Sequence, residues 1–340
     1  MPCLVRPVGS VPSLGHPLVD EYLRFTAARV RSNTLTAQVF DLKVFFTMVP
    51  KAPQEVTVTD VLSFIEAQRS PRRGGNVIRL ADGEAGLAAA TIKRRLATVS
   101  SLFDYLFLRG ICDRNPVPRS LGARHARPDG RGHGGRRGAP LVRAPRKLPR
   151  VLAPAEVNAL TGALRTDRDR AMVALMVHGG LRRCEVLGLR FEHVQVGDRR
   201  VFVADGKGGH QRLVPVADAF FTTLAAYLSS ERPTEAIDDH VFVVLKGPNR
   251  GRPLTAAGLD EVMAGARGRA GLTHASCHEL RHTCFTRLRE AGMALEAIQA
   301  QAGHASIETT RVYLHLSNDW LAGEYQRAMA ILDGLHEEEP

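Results

Sequence analysis

The sequence of 340 residues has no apolar run approaching the roughly 18 residues that cross a bilayer. Its first residues, MPCLVRPVGSVPSLGHP, carry prolines and glycines where a signal peptide needs a continuous apolar stretch. The five cysteines are scattered and form no C-x-x-C pair, which argues against a disulfide framework and against a ribbon-type zinc site. We therefore expect a soluble, cytoplasmic protein with reduced thiols.

Acidic residues are in deficit. The 35 Asp and Glu stand against 46 Lys and Arg, which gives a formal net charge of +11. An excess of this size favours a polyanionic partner, and nucleic acid is favoured over a membrane surface. A basic protein without such a partner is the alternative that charge alone leaves open.

The length suggests two domains, and the composition indicates where they meet. Residues 1–16 predict a flexible tail. Residues 17–115 contain four segments with apolar residues at intervals of three and four, which predicts a small all-helical domain. Residues 116–150 are rich in Gly, Pro and Arg, with ten Arg and Lys and a single acid, Asp129. This composition predicts a basic linker that could follow a phosphate backbone, or else a solvated spacer.

Residues 151–340 predict a second domain that combines helices with one β-hairpin. Pro154 suits the first turn of a helix, and residues 168–180 predict a helix closed by two glycines. The segment RRVFVADGKGGHQRLVPV alternates around a Gly-rich turn, as a hairpin does. The predicted fold class is mostly α with a small antiparallel β-sheet. Candidate helix N-caps in the first domain are Asn33 or Thr34 and Thr57 or Thr59.

The segment CHELRHTC, residues 277–284, fits two kinds of site. Read as H-E-x-x-H, it would bind zinc through His278 and His282. Read as H-x-x-R, it places His278 and Arg281 on one helix face, where they could hold a phosphate. Helical phase predicts an apolar stripe facing the core, formed by Cys277, Leu280, Cys284, Leu288 and Ala291. The same phase places His278, Arg281, His282 and Phe285 on the opposite face, and it does not separate zinc from phosphate.

Four other segments carry residues that suit phosphate chemistry. Arg182 follows a Gly pair at the start of a helix, with Glu185 one turn on to fix its rotamer. Lys207 lies in the Gly-rich hairpin turn, and His304 follows Gly303 nine residues before Tyr313. Taken singly, each has an ordinary alternative: a surface ion pair, a solvated turn lysine, a packed aromatic.

Together these residues form an ordered series: Arg182, Lys207, His278-x-x-Arg281, Gly303-His304 and Tyr313. The series resembles the catalytic pattern of the tyrosine recombinases, the phage integrase family. The resemblance covers most of residues 151–325. It implies a four-helix, SAM-like core-binding domain, a catalytic domain of mixed α and β structure, and a C-terminal helix exchanged between protomers. Because the linker is long and basic, we expect a transposon-associated branch of the family.

The resemblance also implies a role for each residue. Tyr313 would be the nucleophile, Arg182 and Arg281 would hold the scissile phosphate, and Lys207 would protonate the leaving oxygen. Of the remaining residues, His278 would act as acid and base, His304 would donate to a phosphate oxygen, and Glu185 would support the arginines. The reaction would need no metal, no other cofactor and no ATP. The outcome could be DNA integration, excision, inversion or transposition.

Double-stranded DNA with a specific recombination site is the predicted partner. By resemblance, the protein would be a monomer in solution and a homotetramer in the synaptic complex. Candidate phosphate contacts outside the active site are Lys93, Arg94, Arg95, Arg146, Lys147 and Arg150. Two alternatives are a catalytically silent DNA-binding relative and a zinc peptidase. The peptidase would need a third ligand, such as Glu296, His304 or Glu308, and leaves the other motifs unexplained.

Overall fold

The computed structural model describes residues 11–70, 86–118, 140–143, 149–204, 206, 211–236, 238–303, 310 and 329. The chain divides into two compact units, Met1–Arg146 and Lys147–Pro340. Most of the predicted linker lies outside the described residues, as does the predicted C-terminal helix at residues 318–335, apart from Met329. Throughout the described part of the chain, no helix is long and apolar enough to cross a membrane.

The first unit contains the four predicted helices. They are α1 (Pro17–Ala27), α2 (Ser32–Met48), α3 (Val58–Arg69) and α4 (Ala89–Leu108), with a 3-10 turn at Pro53–Glu55. Phe45 of α2 is fully buried, and its ring contacts those of Phe64 in α3 and Phe103 in α4, with centroids 5.0 and 6.5 Å apart. These aromatic contacts tie three of the helices into one core.

One of the two N-cap predictions is confirmed. Thr57 caps α3 by accepting from the backbone of Asp60, whose carboxylate in turn accepts from the Thr57 backbone at 2.8 Å. The prediction for α2 is wrong, because that helix begins one residue before Asn33, and Arg31 holds the cap position without a side-chain bond. Asn33 and Thr34 instead lie in its first turn.

In its described residues, the second unit places seven α-helices and a small sheet around a core of its own. Its helices are α5 (Pro154–Gly162), α6 (Asp167–His178), α7 (Arg183–Leu187), α8 (Asp218–Ser230), α9 (Ala256–Arg269), α10 (Cys277–Glu290) and α11 (Leu295–Ala302). Helix α6 packs against both α8 and α10, and its Met172, Leu175 and Met176 are fully buried. As predicted, α5 begins at Pro154.

The sheet is antiparallel and has the order β1-β2-β3, with β1 at Val194–Gln195, β2 at Arg200–Val203 and β3 at Arg212–Pro215. The predicted hairpin is β2–β3, in which Val201 pairs with Val214. Strand β1 was not predicted, because two residues are too few to show a period-two pattern. With this sheet, the predicted fold class is confirmed.

The helix that carries the CHELRHTC segment is buried on more than one side. Ser276 caps α10, and its backbone N–H donates to Glu279 at 2.8 Å. The helical phase was correct for Leu280 and Cys284, which are buried, but Ala291 is exposed and Phe285 is fully buried. Phe285 was placed on the open face because sequence periodicity assumes one buried stripe, whereas α10 packs against both α6 and α11.

Candidate active site

A tight turn after α6 positions Arg182, the first arginine of the site. Gly180 adopts a left-handed backbone (φ 67°), and Arg182 then becomes the N-cap of α7. A Cβ at Gly180 would lie 2.4 Å from the Cζ atom of Phe285, so the turn also needs the space that glycine leaves. This turn brings Arg182 next to α10.

Arg182 and Glu185 form a buried pair and not a surface one. The Arg182 guanidinium donates to Oε1 of Glu185 at 2.7 Å, and its backbone N–H donates to Oε2 at 2.8 Å. The Glu185 side chain is 0% exposed. Burial acts to raise the pKa of this carboxyl, but hydrogen bonds from Arg212 and from Arg182 outweigh it and lower the pKa to about 2.

Arg212 is a further member of the site that the sequence interpretation missed. It begins β3 and donates to both carboxylate oxygens of Glu185, at 3.1 and 2.9 Å. Its Nε atom donates to the carbonyl of Gln301 at 2.8 Å. The signal was available in the strand period, because Arg212 shares a face with the buried Val214. A charged residue on that inward face needs a buried partner, and Glu185 is that partner.

Arg281 lies opposite, on α10, and its side chain is 3% exposed. Its guanidinium donates to the carbonyl of Gly180 and, at 2.7 Å, to that of Ala302. It also lies over the ring of Phe285, 4.8 Å from the centroid, and 3.9 Å from Glu185. The ring of the fully buried Phe285 therefore packs against the Arg281 guanidinium.

The carbonyl end of α11 joins these groups. Three successive carbonyls accept from three different arginines: Gln301 from Arg212, Ala302 from Arg281 and, more weakly at 3.5 Å, Gly303 from Arg182. A helix end that carries unsatisfied carbonyls attracts cations. We call Arg182, Arg212, Arg281 and Glu185 the arginine cluster. The structure thus brings together the two arginines and the carboxylate that the sequence predicted for one site.

The two histidines of α10 are direct neighbours. The Nε2 atoms of His278 and His282 lie 2.9 Å apart. Burial lowers the pKa of His278, and Arg281 and Arg182 lower it further. Burial, His278 and Arg281 lower the pKa of His282 to about 4. His282 is thus neutral near pH 7, and His278 lies three residues before Arg281 on the same helix.

The His282 ring is expected to titrate with a midpoint near pH 4 in the DNA-free protein. Because its folded-state pKa lies below the unfolded value, the neutral ring contributes stability that is lost as the pH falls from about 6.5 towards 4. Proton-carbon NMR of labelled histidines measures the midpoint, and His282→Gln assigns the signal. A midpoint at the ordinary histidine value would contradict the burial and charge that the site places around this ring.

The zinc interpretation lacks a third ligand in the described residues. Within those ranges, no group of three His, Cys, Asp or Glu lies close enough to hold a metal, so Glu296 does not join the two histidines. His304 and Glu308 lie outside the described residues. Burial raises the pKa of the Cys277 thiol to about 11 and that of the Cys284 thiol to about 12, which keeps both thiols protonated.

Three of the predicted catalytic residues, Lys207, His304 and Tyr313, lie outside the described residues. In the chain, Lys207 belongs to the connection between β2 and β3, and His304 directly follows Gly303 at the end of α11. The roles of all three stay predictions.

The predicted DNA contacts of the first unit differ in their surroundings. Lys93 is exposed, whereas Arg94 bonds Asp41 at 2.5 Å. Arg95 is only 15% exposed and donates to the side chain of Gln68 at 2.7 Å. These bonds favour a structural role for Arg95, and Lys93 keeps the more accessible charge.

In the second unit, Arg150 donates to Glu156 at 2.9 Å and is otherwise well exposed. The other two candidates of the linker, Arg146 and Lys147, lie outside the described residues. All of the predicted phosphate contacts therefore stay predictions.

The fold and the arginine cluster agree with the tyrosine-recombinase pattern found in the sequence, and comparison with known proteins gives the same family. Residues 150–319 match the profile of the phage integrase family, so the chain belongs to this family of tyrosine recombinases. It is 29% identical over 322 residues to the tyrosine recombinase XerC of Serratia marcescens, a match that covers 93% of this chain and 95% of the relative. It is also 30% identical over 249 residues to XerC of Yersinia pestis, covering 72% of this chain and 74% of the relative.

Solved structures show the same fold. The Tn1549 transposon integrase in complex with transposon right end DNA superposes with a TM-score of 0.68 at 17% identity, covering 92% of this chain and 98% of that one. A lambda integrase dimer bound to a COC′ core site gives 0.61 at 19% identity, covering 86% and 95%. Such identities establish the fold alone, so the expectation of a transposon-associated branch stays a prediction.

Proposed function

We propose that this chain, a site-specific recombinase, cleaves and rejoins DNA strands through a covalent 3′-phosphotyrosyl intermediate formed by Tyr313. The observation that carries the proposal is the arginine cluster, in which Arg182 and Arg281 share Glu185 and the end of α11. Guanidiniums held in this way keep their charge and orientation before any substrate binds, so little reorganisation is needed when charge develops on a phosphate.

The charge of the cluster suits this reaction. Three guanidiniums surround one carboxylate, which leaves an excess of two positive charges. A phosphodiester carries one negative charge, and attack on it adds a second to the non-bridging oxygens. The excess of two positive charges thus matches the two negative charges of the transition state better than the single charge of the ground state. Stronger binding of the transition state than of the ground state is the condition for catalysis.

The bond changes balance without an external energy source. The Tyr313 oxygen attacks phosphorus, the bond from phosphorus to the 5′ oxygen breaks, and Lys207 supplies a proton to the leaving 5′ oxygen, which becomes a hydroxyl. His278 accepts the phenolic proton, and His304 donates to a phosphate oxygen. Attack by the 5′-hydroxyl of a second strand reverses these steps and restores a phosphodiester.

The partner is double-stranded DNA containing a recombination site. Relatives of known structure were solved on DNA, namely the Tn1549 integrase on transposon right end DNA and lambda integrase on a COC′ core site. A homotetramer assembled on two duplexes, formed from cytoplasmic monomers, would complete the exchange. Support for the DNA partner also comes from the net charge of +11.

Trapping the covalent intermediate tests the proposal. The wild-type protein is incubated with DNA fragments from its own source, including the flanks of its gene. Denaturation then isolates covalent adducts, and sequencing maps their ends. On a nicked suicide duplex built from the mapped site, the wild type should accumulate the adduct because the short 5′ fragment diffuses away. Tyr313→Phe, which lacks the nucleophile, should form none.

Tyr105→Phe provides the matched control, because it removes a hydroxyl from a tyrosine in the first unit and should leave adduct formation intact. An adduct that persists in Tyr313→Phe would refute the assigned nucleophile. A wild-type protein that binds these DNAs but never forms an adduct would be a catalytically silent DNA-binding relative.

A further inference from the structure

Arg212 uses all three nitrogens of its guanidinium within the protein. Nη1 and Nη2 donate to the two oxygens of Glu185, and Nε donates to the carbonyl of Gln301. The side chain is 8% exposed. A planar fork can make these three bonds at once, whereas the point charge of a lysine cannot. This geometry is that of an anchor and not of a phosphate ligand.

The position of Arg212 links three parts of the site. It stands at the first residue of β3, directly after the connection that contains Lys207 in the sequence. Its partner Glu185 belongs to α7, and its partner Gln301 belongs to the last turn of α11. A Cβ at Gly303 would lie 3.1 Å from Arg212 Nη1, so the guanidinium packs closely on the turn that precedes His304.

The charge of Arg212 also decides how Glu185 acts on Arg281. Glu185 bonds Arg212 through both of its oxygens, and it lies 3.9 Å from Arg281. At that separation, and with both groups buried, an attraction not offset by Arg212 would be strong. Without Arg212, the carboxylate, which Arg182 still holds, would draw the Arg281 guanidinium out of its position. The excess positive charge of the cluster would also fall by half.

We infer that Arg212 is a positioning residue for strand cleavage, which holds Glu185 and the end of α11 and thereby fixes the positions of Arg182 and Arg281 for the phosphate. The inference rests on the proposed function. It assigns to Arg212 a contribution to the rate of cleavage and not to the capture of DNA.

A double-mutant cycle with Glu185 tests this role. The single-turnover rate of adduct formation at saturating suicide duplex is measured separately from the DNA concentration that gives half of that rate. The variants are Arg212→Met, Arg212→Lys, Glu185→Gln and the double variant Glu185→Gln/Arg212→Met. Arg200→Met makes the same change at an exposed position of β2 and is the matched control. Thermal melting of each variant accompanies the kinetics.

We expect Arg212→Met to slow adduct formation by about 100-fold, the loss that follows when catalytic groups are slightly misplaced, with the half-saturating DNA concentration changed by less than about threefold. Arg212→Lys restores the charge without the fork and should recover only part of the rate. The double variant should be faster than Arg212→Met, because the neutral amide that replaces the Glu185 carboxylate has no charge with which to draw Arg281 away. This recovery separates positioning from a simple loss of folding.

Four outcomes would overturn the inference. They are a wild-type rate in Arg212→Met, a loss that appears only in the half-saturating concentration, a double variant in which the two losses multiply, and an equal loss in Arg200→Met. In each of these the wild type still forms its adduct, so the proposed function stands. If the wild type itself forms no adduct on any DNA, the proposed function fails, and the inference fails with it.

Discussion

Arg281→Lys is expected to lower the rate of strand cleavage by about 1,000- to 100,000-fold, the range over which a single arginine contributes to phosphoryl transfer. The substitution keeps one positive charge but loses the planar fork. In the structure that fork spans two carbonyls, those of Gly180 and Ala302, and rests on the ring of Phe285. A lysine can satisfy one carbonyl or approach the phosphate, but it cannot hold a fixed orientation towards both.

The measurement is single-turnover adduct formation on the suicide duplex, with DNA affinity measured in parallel by electrophoretic mobility. Affinity should change little, because most of the binding energy comes from phosphates spread along the duplex. Arg289→Lys, in the last turn of the same helix, is the matched control and should retain most of the cleavage rate. A rate for Arg281→Lys within tenfold of the wild type would rule out the bidentate role assigned to this arginine.

Glu185→Ala is expected to destabilise the second unit by roughly 3 to 5 kcal/mol, the cost of removing one partner from a buried ion pair. The loss is large because this one carboxylate serves several donors: the backbone and side chain of Arg182, and both ends of the Arg212 fork. Without it, three guanidiniums face each other with no anion between them. Strand cleavage should be lost together with stability.

Glu156→Ala is an informative control. Glu156 occupies the same position in the first turn of α5, where it accepts the Ala153 backbone N–H at 2.8 Å, but it lies at the surface. Its loss should cost only about 1 kcal/mol, the usual contribution of a helix cap. Urea unfolding of both variants measures the difference. Equal destabilisation would show that Glu185 acts as a cap alone and not as the centre of the cluster.

Contacts between residues close in the chain were the part of the site that the sequence could predict. Arg182 and Glu185 are three residues apart at a helix start, and His278 and Arg281 share one helix face, so local geometry places each pair. The hairpin could be predicted equally well, because its alternating apolar residues and its Gly-rich turn both lie within one short segment. The ordered series of motifs then indicated that these pairs act together.

The remaining contacts depend on the tertiary fold. Arg212 meets Glu185 across 27 residues and the carbonyl of Gln301 across 89, distances at which no periodicity operates. Phe285 has the helical phase of the open face, but it is buried because the Gly180 turn and residues of α11 pack on it. The candidate catalytic residues and Glu185 could therefore be predicted from the sequence, whereas Arg212 and the buried Phe285, which contact Glu185 and Arg281, required the structure.

The end of α11 has a consequence for protein engineering. Its last three carbonyls, from Gln301 to Gly303, each hold a different arginine, so the backbone there is as much a part of the site as the side chains. A chimera that takes the C-terminal segment of another recombinase should be joined after Gly303. A junction even one residue earlier would let foreign backbone set the spacing of the guanidiniums, and a single-residue insertion in α11 would rotate its terminus away from all of them at once.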